Sequence, residues 1–312
     1  MKNNLLAMND AMQANLGFVQ SQTAHVEAGV YAMRYPSIRY PGLIPVDTSA
    51  PEWIKTVDYY SMDIAGKAGW TADRARDLNM VGVELGKASS SVFMADIGYD
   101  YGIEEVNQAA MLGMNLPGEK AAAARLIYER TVDDIAFTGD EEKGWKGLFN
   151  HAAVTAESAP TGDWATATED QILADINAVL TGVFTATNEI AMADTLILPS
   201  LKYQFIASKR LGDGNGTMTI LQFIETANAF TAETGQKLNI RSSRGLNTAG
   251  AGGTSRMVAY RNAAEVLKMH IPMRHRFLPV QIDGLTYQVP GIFRLGGLDI
   301  RLPKEVRYSD GI

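Results

Sequence analysis

The chain has 312 residues, with 28 lysines and arginines against 35 aspartates and glutamates, a formal net charge of -7 at pH 7. This acidic balance excludes a globally basic nucleic-acid coat, and 46% hydrophobic against 20% charged residues excludes wholesale disorder. Because the chain has no cysteine, disulfides, thiolate metal sites and cysteine nucleophiles are excluded. No apolar run approaches the roughly 20 residues that cross a bilayer, so we expect no membrane span, and the first residues lack the continuous apolar stretch of a secretion signal.

Charge is distributed unevenly along the chain. Residues 241–312 contain 11 basic and 5 acidic residues, a balance of +6, and the part before them contains 17 basic and 30 acidic residues, a balance of -13. Opposite charges can pair within one subunit or between copies of the chain, acidic face to basic face. Composition leaves both interpretations open.

Residues 1 to about 55 do not have the pattern of a compact unit. Prolines at 36, 41 and 45 interrupt the segment 34–47. Each proline lacks an amide donor and pushes the preceding residue toward extended geometry, so the segment is predicted to be an extended arm. The arm carries more apolar side chains than a solvated linker should expose, and it must therefore lie against its own domain or a neighbour.

A long hairpin is predicted next. Residues 56–65 and 80–95 have strand-like composition and alternation, and the glycine-containing polar stretch between them supplies the turn. An isolated two-stranded ribbon is only marginally stable in water. A hairpin of this length therefore needs a further surface, which implies a neighbouring molecule.

Two long helices are expected in the middle of the chain. Residues 103–114 and 119 to about 138 predict a rod that is bent at Pro117 and ends near Gly139. A capping box, Thr168 with Gln171, begins the second helix. The apolar faces of the two helices consist of Ala124, Tyr128, Val132, Ile135 and Ala136, and of Ile172, Ile176, Val179, Leu180, Val183 and Phe184.

The rest of the chain alternates helix and strand and then becomes rich in strands. A buried strand at 195–198, a helix at about 201–209 and a capped helix from Thr219 to about Asn228 indicate a mixed α/β lobe. Asp283-Gly284 is predicted to turn a tight hairpin, and the glycine-rich stretch 242–255 is predicted to be mobile unless bound. The further strands are predicted at 237–240, 257–260, 279–282, 286–289 and 298–301.

Templates for catalysis and ligand binding fit poorly. The stretch 250–255 lacks the third glycine of a dinucleotide fingerprint, and 211–217 lacks the glycine of a calcium loop. None of the four histidines has metal-ligand spacing, and His270 and His275 are expected on opposite faces of one strand, as surface or hydrogen-bonded core residues. We read the acidic cluster at 133–142 as a solvated helix end. We predict no catalytic residue, no cofactor and no metal site.

One glycine-containing segment stands out after the first long helix. In residues 143–150 two glycines bracket Trp145 and precede Leu-Phe-Asn, directly after the sequence Phe-Thr-Gly-Asp at 137–140. Glycines permit positive φ or close backbone approach, and apolar neighbours can then hold such a loop in place. Taken alone, the segment predicts a glycine turn with a buried Trp145.

The same residues resemble a known family. Residues 136–140 followed by 144–150 are similar to the "G-D … G-x-x-G-L-x-N" stretch of tailed-bacteriophage major capsid proteins of the Hong Kong 97-type fold, as are, in order, the segments 40–48, 63–70, 194–199 and 296–303. The resemblance spans roughly the whole chain. Its glycine-loop residues are Gly139, Asp140, Gly144, Trp145, Gly147, Leu148 and Asn150.

The resemblance implies an α+β fold with named parts. These are an N-terminal arm (1–55), an extended hairpin loop (56–102), a peripheral domain with a long spine helix (103–165 and 262–312) and an axial domain (166–261), which would surround fivefold and sixfold axes. Expected contacts with neighbouring subunits are Tyr35, Tyr40, Leu43, Ile44 and Val46 in the arm, and Ile64, Lys67, Trp70, Val81 and Val83 in the extended loop. Lys67 is also a candidate for covalent cross-linking.

The function that the resemblance implies is structural and not enzymatic. The chain would form pentamers and hexamers of an icosahedral shell around double-stranded DNA in a tailed phage or prophage, assembled in the host cytoplasm without membrane contact. Expected partners are a portal, possibly a decoration protein, and a separate scaffolding protein, because only about 30 residues precede the proline-containing segment 34–47. Two alternatives stay open: an encapsulin-like bacterial nanocompartment shell protein, and a soluble α/β enzyme that uses the glycine-rich loops.

Overall fold

Local sequence signals place most helices of the computed structural model, which describes residues 36–65, 82–212 and 217–312. Residues 38–312 form one compact unit. The helices of the described part are α1 Tyr40–Leu43, α2 Ile103–Met111, α3 Leu116–Thr138, α4 Glu169–Ala186, α5 Ser200–Ser208, α6 Ile220–Thr226 and α7 Ala229–Thr234. Short 3-10 turns cover Arg244–Asn247, Ala251–Gly253 and Pro303–Glu305.

The strands are numbered in chain order. The first nine are β1 Val46–Asp47, β2 Thr56–Ala65, β3 Gly82–Ser91, β4 Phe93–Asp96, β5 Tyr99–Gly102, β6 Gly139–Asp140, β7 Trp145–Lys146, β8 Thr155–Ser158 and β9 Thr195–Pro199. The rest are β10 Asn239–Ser243, β11 Arg256–Tyr260, β12 Leu267–His270, β13 Met273–Phe277, β14 Gln281–Asp283, β15 Thr286–Val289, β16 Gly291–Leu295, β17 Leu298–Ile300 and β18 Val306–Asp310.

Helix α3 confirms the predicted long helix. The Asn115 side chain accepts a hydrogen bond from the Gly118 amide at its start, and Gly139, with a φ of 82°, ends it. All five residues of the predicted apolar face are buried. The break from α2 lies at residues 112–115, and Pro117 stands in the first turn of α3, where its missing amide costs no intrahelical hydrogen bond.

Helix α4 begins at the predicted capping box, in which Thr168 and Gln171 exchange hydrogen bonds. Its predicted face is buried except for Phe184, which is half-buried. The helix predicted from Thr219 to Asn228 ends early, at Thr226, because the Asn228 side chain caps a separate helix, α7, by accepting from the Thr231 amide.

The central sheet has the strand order β10-β9-β11-β18-β8. Strand β9 pairs in parallel with β10 and antiparallel with β11, and both β9 and β11 are buried along their whole length. A strand that is buried on both faces has a continuous run of apolar residues, and this run is the pattern from which β9 and β11 were predicted. Strands β8 and β18 were not predicted, because β8 consists of exposed polar residues and β18 mixes charged with aromatic residues.

The C-terminal strands form three smaller sheets: β1-β12-β17, β13-β16-β4 and β14-β15-β5. The tight hairpin is confirmed, but its two loop residues are Gly284 and Leu285, since Asp283 still pairs with Thr286. His270 and His275 do not share one strand as predicted, because the chain leaves β12 at His270 and begins β13 at Met273. Strands β12, β13 and β16 were not predicted.

Two clusters of buried apolar side chains make up the core. One joins α1, α3, the end of β11 and the C-terminal strands, and the other joins α4 to α7 with the central sheet. The second cluster includes Trp164 and Ile312, which lie outside the predicted axial domain of 166–261. The domain boundaries stay a prediction.

Candidate functional site: arm segment, ribbon and glycine loop

The first candidate surface is the arm segment, residues 38–47. Tyr40, Leu43 and Ile44 are 6%, 4% and 1% exposed and belong to the core of their own chain, against which the half-buried Val46 also packs. The predicted extended arm is corrected here, since residues 40–43 form helix α1. Of the two covers that the sequence left open, the subunit's own domain and a neighbour, the structure shows the own domain for these side chains. Their expected contacts with neighbouring subunits stay a prediction. Tyr35 lies outside the described residues.

Polar contacts hold the arm segment to the spine helix. One Asp133 carboxylate oxygen accepts hydrogen bonds from the amides of Arg39 and Tyr40, each at 2.8 Å. The Tyr40 hydroxyl donates to Glu129 at 2.9 Å, and burial and this carboxylate raise the pKa of Tyr40. The Tyr260 hydroxyl donates to the Leu43 carbonyl at 2.6 Å. Asp133, interpreted from sequence as part of a solvated helix end, is therefore an anchor for α1.

The second candidate surface is the ribbon formed by β2 and β3. Ten residue pairs run antiparallel from Thr56 opposite Ser91 to Ala65 opposite Gly82, which confirms the predicted hairpin. Within the described part of the chain neither strand pairs with a third. Ile64 and Val83 are paired residues near the end of the described ladder. Lys67, Trp70 and Val81 lie outside the described residues.

The two faces of the ribbon differ. On one face, Arg301 lies 4.7 Å from the centre of the Tyr59 ring, and the Ser90 hydroxyl donates to the Gly296 carbonyl at 2.6 Å. On the other face Tyr60 is 70% exposed, and Lys87 and Asp58 form an exposed ion pair at 2.8 Å. One face of the ribbon thus rests on its own chain, and the residues that the structure describes leave Tyr60 on the other face exposed.

The glycine loop, residues 139–150, connects the spine helix to the base of the ribbon. A Cβ atom on Gly147 would lie 2.2 Å from the Phe137 carbonyl carbon, so only glycine fits there. Asn150 accepts from the Gly147 amide at 2.8 Å and donates to the Thr138 carbonyl at 2.7 Å, which closes the loop. Leu148 is fully buried.

Other residues of the glycine loop face the ribbon or solvent. Trp145 is half-buried rather than buried as predicted. The centre of its ring lies 5.4 Å from the centre of the Phe93 ring, which is itself exposed, and its Nε1 donates to the Ser91 carbonyl at 3.2 Å. Asp140 accepts from the Glu142 amide at 2.9 Å, and Gly144 adopts a φ of 72°. The family motif therefore fixes a loop that supports the ribbon.

The glycine-rich stretch 242–255, predicted to be mobile unless bound, is held by contacts within its own chain. Arg256 and Asp310 form a buried bidentate ion pair at 2.6 and 2.8 Å, and Asp310 also accepts from the Ala251 amide at 3.0 Å. Burial alone would raise the pKa of Asp310, but the bonds from Arg256 and Ala251 outweigh it and lower the pKa. No motif marks this pair in the sequence, since the two residues meet only through the β11–β18 ladder.

Chemistry other than packing is not evident. Among the residues that the structure describes, no group of three or more histidines, aspartates or glutamates could hold a metal ion. No helix in that part of the chain is long and apolar enough to span a bilayer. The surface depression lined by Arg39, Tyr203 and Arg241 has no histidine or carboxylate among its described lining residues that could act as a base.

Comparison with known proteins identifies the family. The family model described as major capsid protein matches residues 66–312. The chain belongs to the major capsid protein family. The predicted identity is thereby confirmed, and with it the role of a shell-forming structural protein that associates with copies of itself in a virion capsid. No curated protein matches this major capsid protein.

Solved structures show the same fold. The capsid of Myoviridae phage XM1 matches with a TM-score of 0.80 at 20% identity over 94% of this chain and 98% of that one. Mycobacterium phage Bobi matches with a TM-score of 0.62 at 16% identity over 92% and 95%, and the capsid of an empty GTA particle with 0.62 at 9% over 92% and 94%. The predicted Hong Kong 97-type α+β fold of this major capsid protein is confirmed.

Proposed function

We propose that this major capsid protein forms the icosahedral shell around the double-stranded DNA genome of a tailed bacteriophage, and that the free face of the ribbon binds a neighbouring copy. The carrying observation is a ladder of ten residue pairs that no third strand joins within the described part of the chain. A two-stranded ribbon is marginal by itself. One face already rests on its own chain, through Tyr59 and Ser90. The surface that covers the other face is another subunit, because the family assembles from copies of one chain.

The uneven charge supports the same proposal. The acidic first part and the basic last part of the chain can attract between copies as well as within one, and two described pairs, Arg307 with Glu157 and Lys268 with Asp47, already join the two parts internally. Many weak contacts per subunit add up in a closed shell, because each subunit is held by several neighbours at once. A net negative subunit leaves packaged DNA unbound and able to move.

The finer parts of the proposal follow from the resemblance. The arm (1–55), the extended loop (56–102), the peripheral domain with the spine helix and the axial domain would build pentamers and hexamers. A separate scaffolding protein, a portal and possibly a decoration protein would act with them in the host cytoplasm. The chain would have no catalytic role.

The test replaces residues 61–86 by a two-residue Asn-Gly turn, which favours a short hairpin. We expect wild-type chain, expressed with a scaffolding protein, to form shells in negative-stain electron microscopy, and the shortened variant to stay unassembled. Circular dichroism and urea denaturation serve as the control that the variant keeps its folded core. Normal shells from the variant would contradict the role of the ribbon. Shells that enclose a protein cargo and no DNA would favour the nanocompartment alternative.

A further inference from the structure

A histidine with no exposed surface lies at the centre of the sheet β1-β12-β17. His270 ends β12, which pairs in parallel with β1 on one side and antiparallel with β17 on the other. Its Nδ1 lies 3.6 Å from an Asp47 carboxylate oxygen, and its Nε2 lies 3.6 Å from an Asp299 carboxylate oxygen. Neither ring nitrogen has a hydrogen-bond partner within the described part of the chain. One carboxylate therefore faces each nitrogen.

The two carboxylates are best matched when both nitrogens of the ring carry a proton. A neutral imidazole has one N–H and one lone pair, so one of the two carboxylates would face a lone pair, whereas an imidazolium presents an N–H to each. The alternative is a proton on one carboxyl group. Burial alone would raise the pKa of both aspartates, but hydrogen bonds from Lys268 and Ser49 hold the pKa of Asp47 below its usual range, and contacts with His270 and Arg301 do the same for Asp299.

Other charged groups complete an alternating row. Lys268 lies 2.9 Å from Asp47, and the Arg301 Nε lies 3.0 Å from Asp299. Across the strands the order is Lys268, Asp47, His270, Asp299 and Arg301. A charge at the central position offsets the repulsion of two half-buried carboxylates, which would otherwise be costly.

Two more titratable groups face this row from other elements. His151 lies in the loop that follows the glycine loop. Burial lowers the pKa of His151, and the negative charge of Asp299 opposes this by raising it to a smaller extent. Tyr59 of the ribbon lies under Arg301. The backbone beside the ring is uncharged: the His270 amide donates to the Gly297 carbonyl and the Gly296 amide donates to the His270 carbonyl.

We propose that protonated His270 is a pH-dependent latch that holds β1, the end of the arm segment, to the C-terminal strands of the subunit. Strand β1 is only two residues long, and its backbone hydrogen bonds with β12 and the residue after it include those from Met269 to the Pro45 carbonyl and from Ile271 to the Asp47 carbonyl, each at 2.9 Å. The charged ring adds a second attachment at Asp47. When the ring loses its proton, one carboxylate faces a lone pair and the attachment of β1 weakens.

Amide hydrogen exchange of the full chain tests the latch, because the Met269 and Ile271 amides are protected directly by β1. We would measure their protection relative to the buried part of α4, between about pH 5 and about pH 8, the interval in which a histidine ordinarily changes charge. In wild type the relative protection should fall about tenfold as the pH rises, because the ion pair between the ring and Asp47 is lost. His270→Gln should show the low protection at every pH.

Two further variants keep the test decisive. His275→Gln is the matched control, because His275 contacts the Ile97 carbonyl at 3.0 Å and no described carboxylate, and it should keep the wild-type profile. Asp299→Asn lets a neutral ring donate to Asp47 and accept from the new amide, so protection should persist without pH dependence. A wild-type profile that does not change with pH, or an Asp299→Asn profile identical to wild type, would overturn the latch, even if His270→Gln failed to fold.

Discussion

The arm segment and the ribbon are separated by only a few residues, yet their large side chains have opposite surroundings. Ile44 in the arm segment is 1% exposed, whereas Tyr60 in the ribbon is 70% exposed. The arm segment forms hydrogen bonds with Asp133 and Glu129 of α3 and with Tyr260 of β11. In the described part of the chain, the two strands of the ribbon pair only with each other. The first therefore stabilises the subunit, and the second is the surface available to a neighbour.

The largest expected effect is in the arm segment. Ile44→Ala removes buried apolar atoms from the core, so the free energy of unfolding should fall by about 2–5 kcal/mol. Urea denaturation of the unassembled subunit measures it. A loss below about 0.5 kcal/mol, the usual range of surface substitutions, would show that the arm segment does not belong to the folded core.

The next effect concerns the contact between the arm segment and the spine helix. Tyr40→Phe keeps the ring and removes the hydroxyl that donates to Glu129. The free energy of unfolding should fall by about 1.5 kcal/mol, the lower end for a bond to a charged group, because Glu129 is half-exposed. Glu129→Gln, which keeps an acceptor, is the control and should cost less; an equal cost in both variants would argue against this bond.

A third prediction compares two lysine-paired carboxylates. Asp47, at the end of the arm segment, has a pKa lowered by Lys268 and Ser49 against the opposing effect of burial, and Asp58, in the ribbon, has a pKa lowered by Lys87 and Ser89. A lowered pKa in the folded state contributes stability that is present above the unfolded value of about 4 and is lost as the pH falls below it.

The contribution of Asp47 should be the larger one, because its side chain is 17% exposed and that of Asp58 is 34% exposed. Urea midpoints measured from about pH 5 down to about pH 3 should therefore fall less steeply in Asp47→Asn than in wild type. Asp58→Asn should follow the wild-type curve. The reverse result would mean that the ribbon, and not the arm segment, is the more firmly held of the two.

The smallest effect on stability is expected in the ribbon. Tyr60→Ser should leave the free energy of unfolding within about 0.5 kcal/mol of wild type, because the side chain is exposed. If the free face binds a neighbour, the yield of shells counted by electron microscopy should nevertheless fall. Normal shells, or a subunit that is markedly less stable, would both argue against the proposed role of this face.

Much of the local structure could be predicted from the sequence. The capping boxes at Thr168 and Thr219, the buried face of α3 and the first strand of the ribbon lie where the pattern placed them. The strand predicted over 80–95 is divided, because β3 ends at Ser91 and β4 pairs with β16. Strands such as β13, with the sequence Met-Arg-His-Arg-Phe, were missed because charged residues conceal a strand whose Phe277 ring packs on the distant Tyr99.

The sequence by itself determined where helices begin, which helical faces are apolar and which family the chain resembles, because caps, periodicity and motifs depend on residues a few positions apart. Only the tertiary structure decided that the arm segment covers its own core while the ribbon does not, and that His270 lies between Asp47 and Asp299. Burial and strand pairing join residues far apart in the chain, and no local pattern specifies which of them will meet.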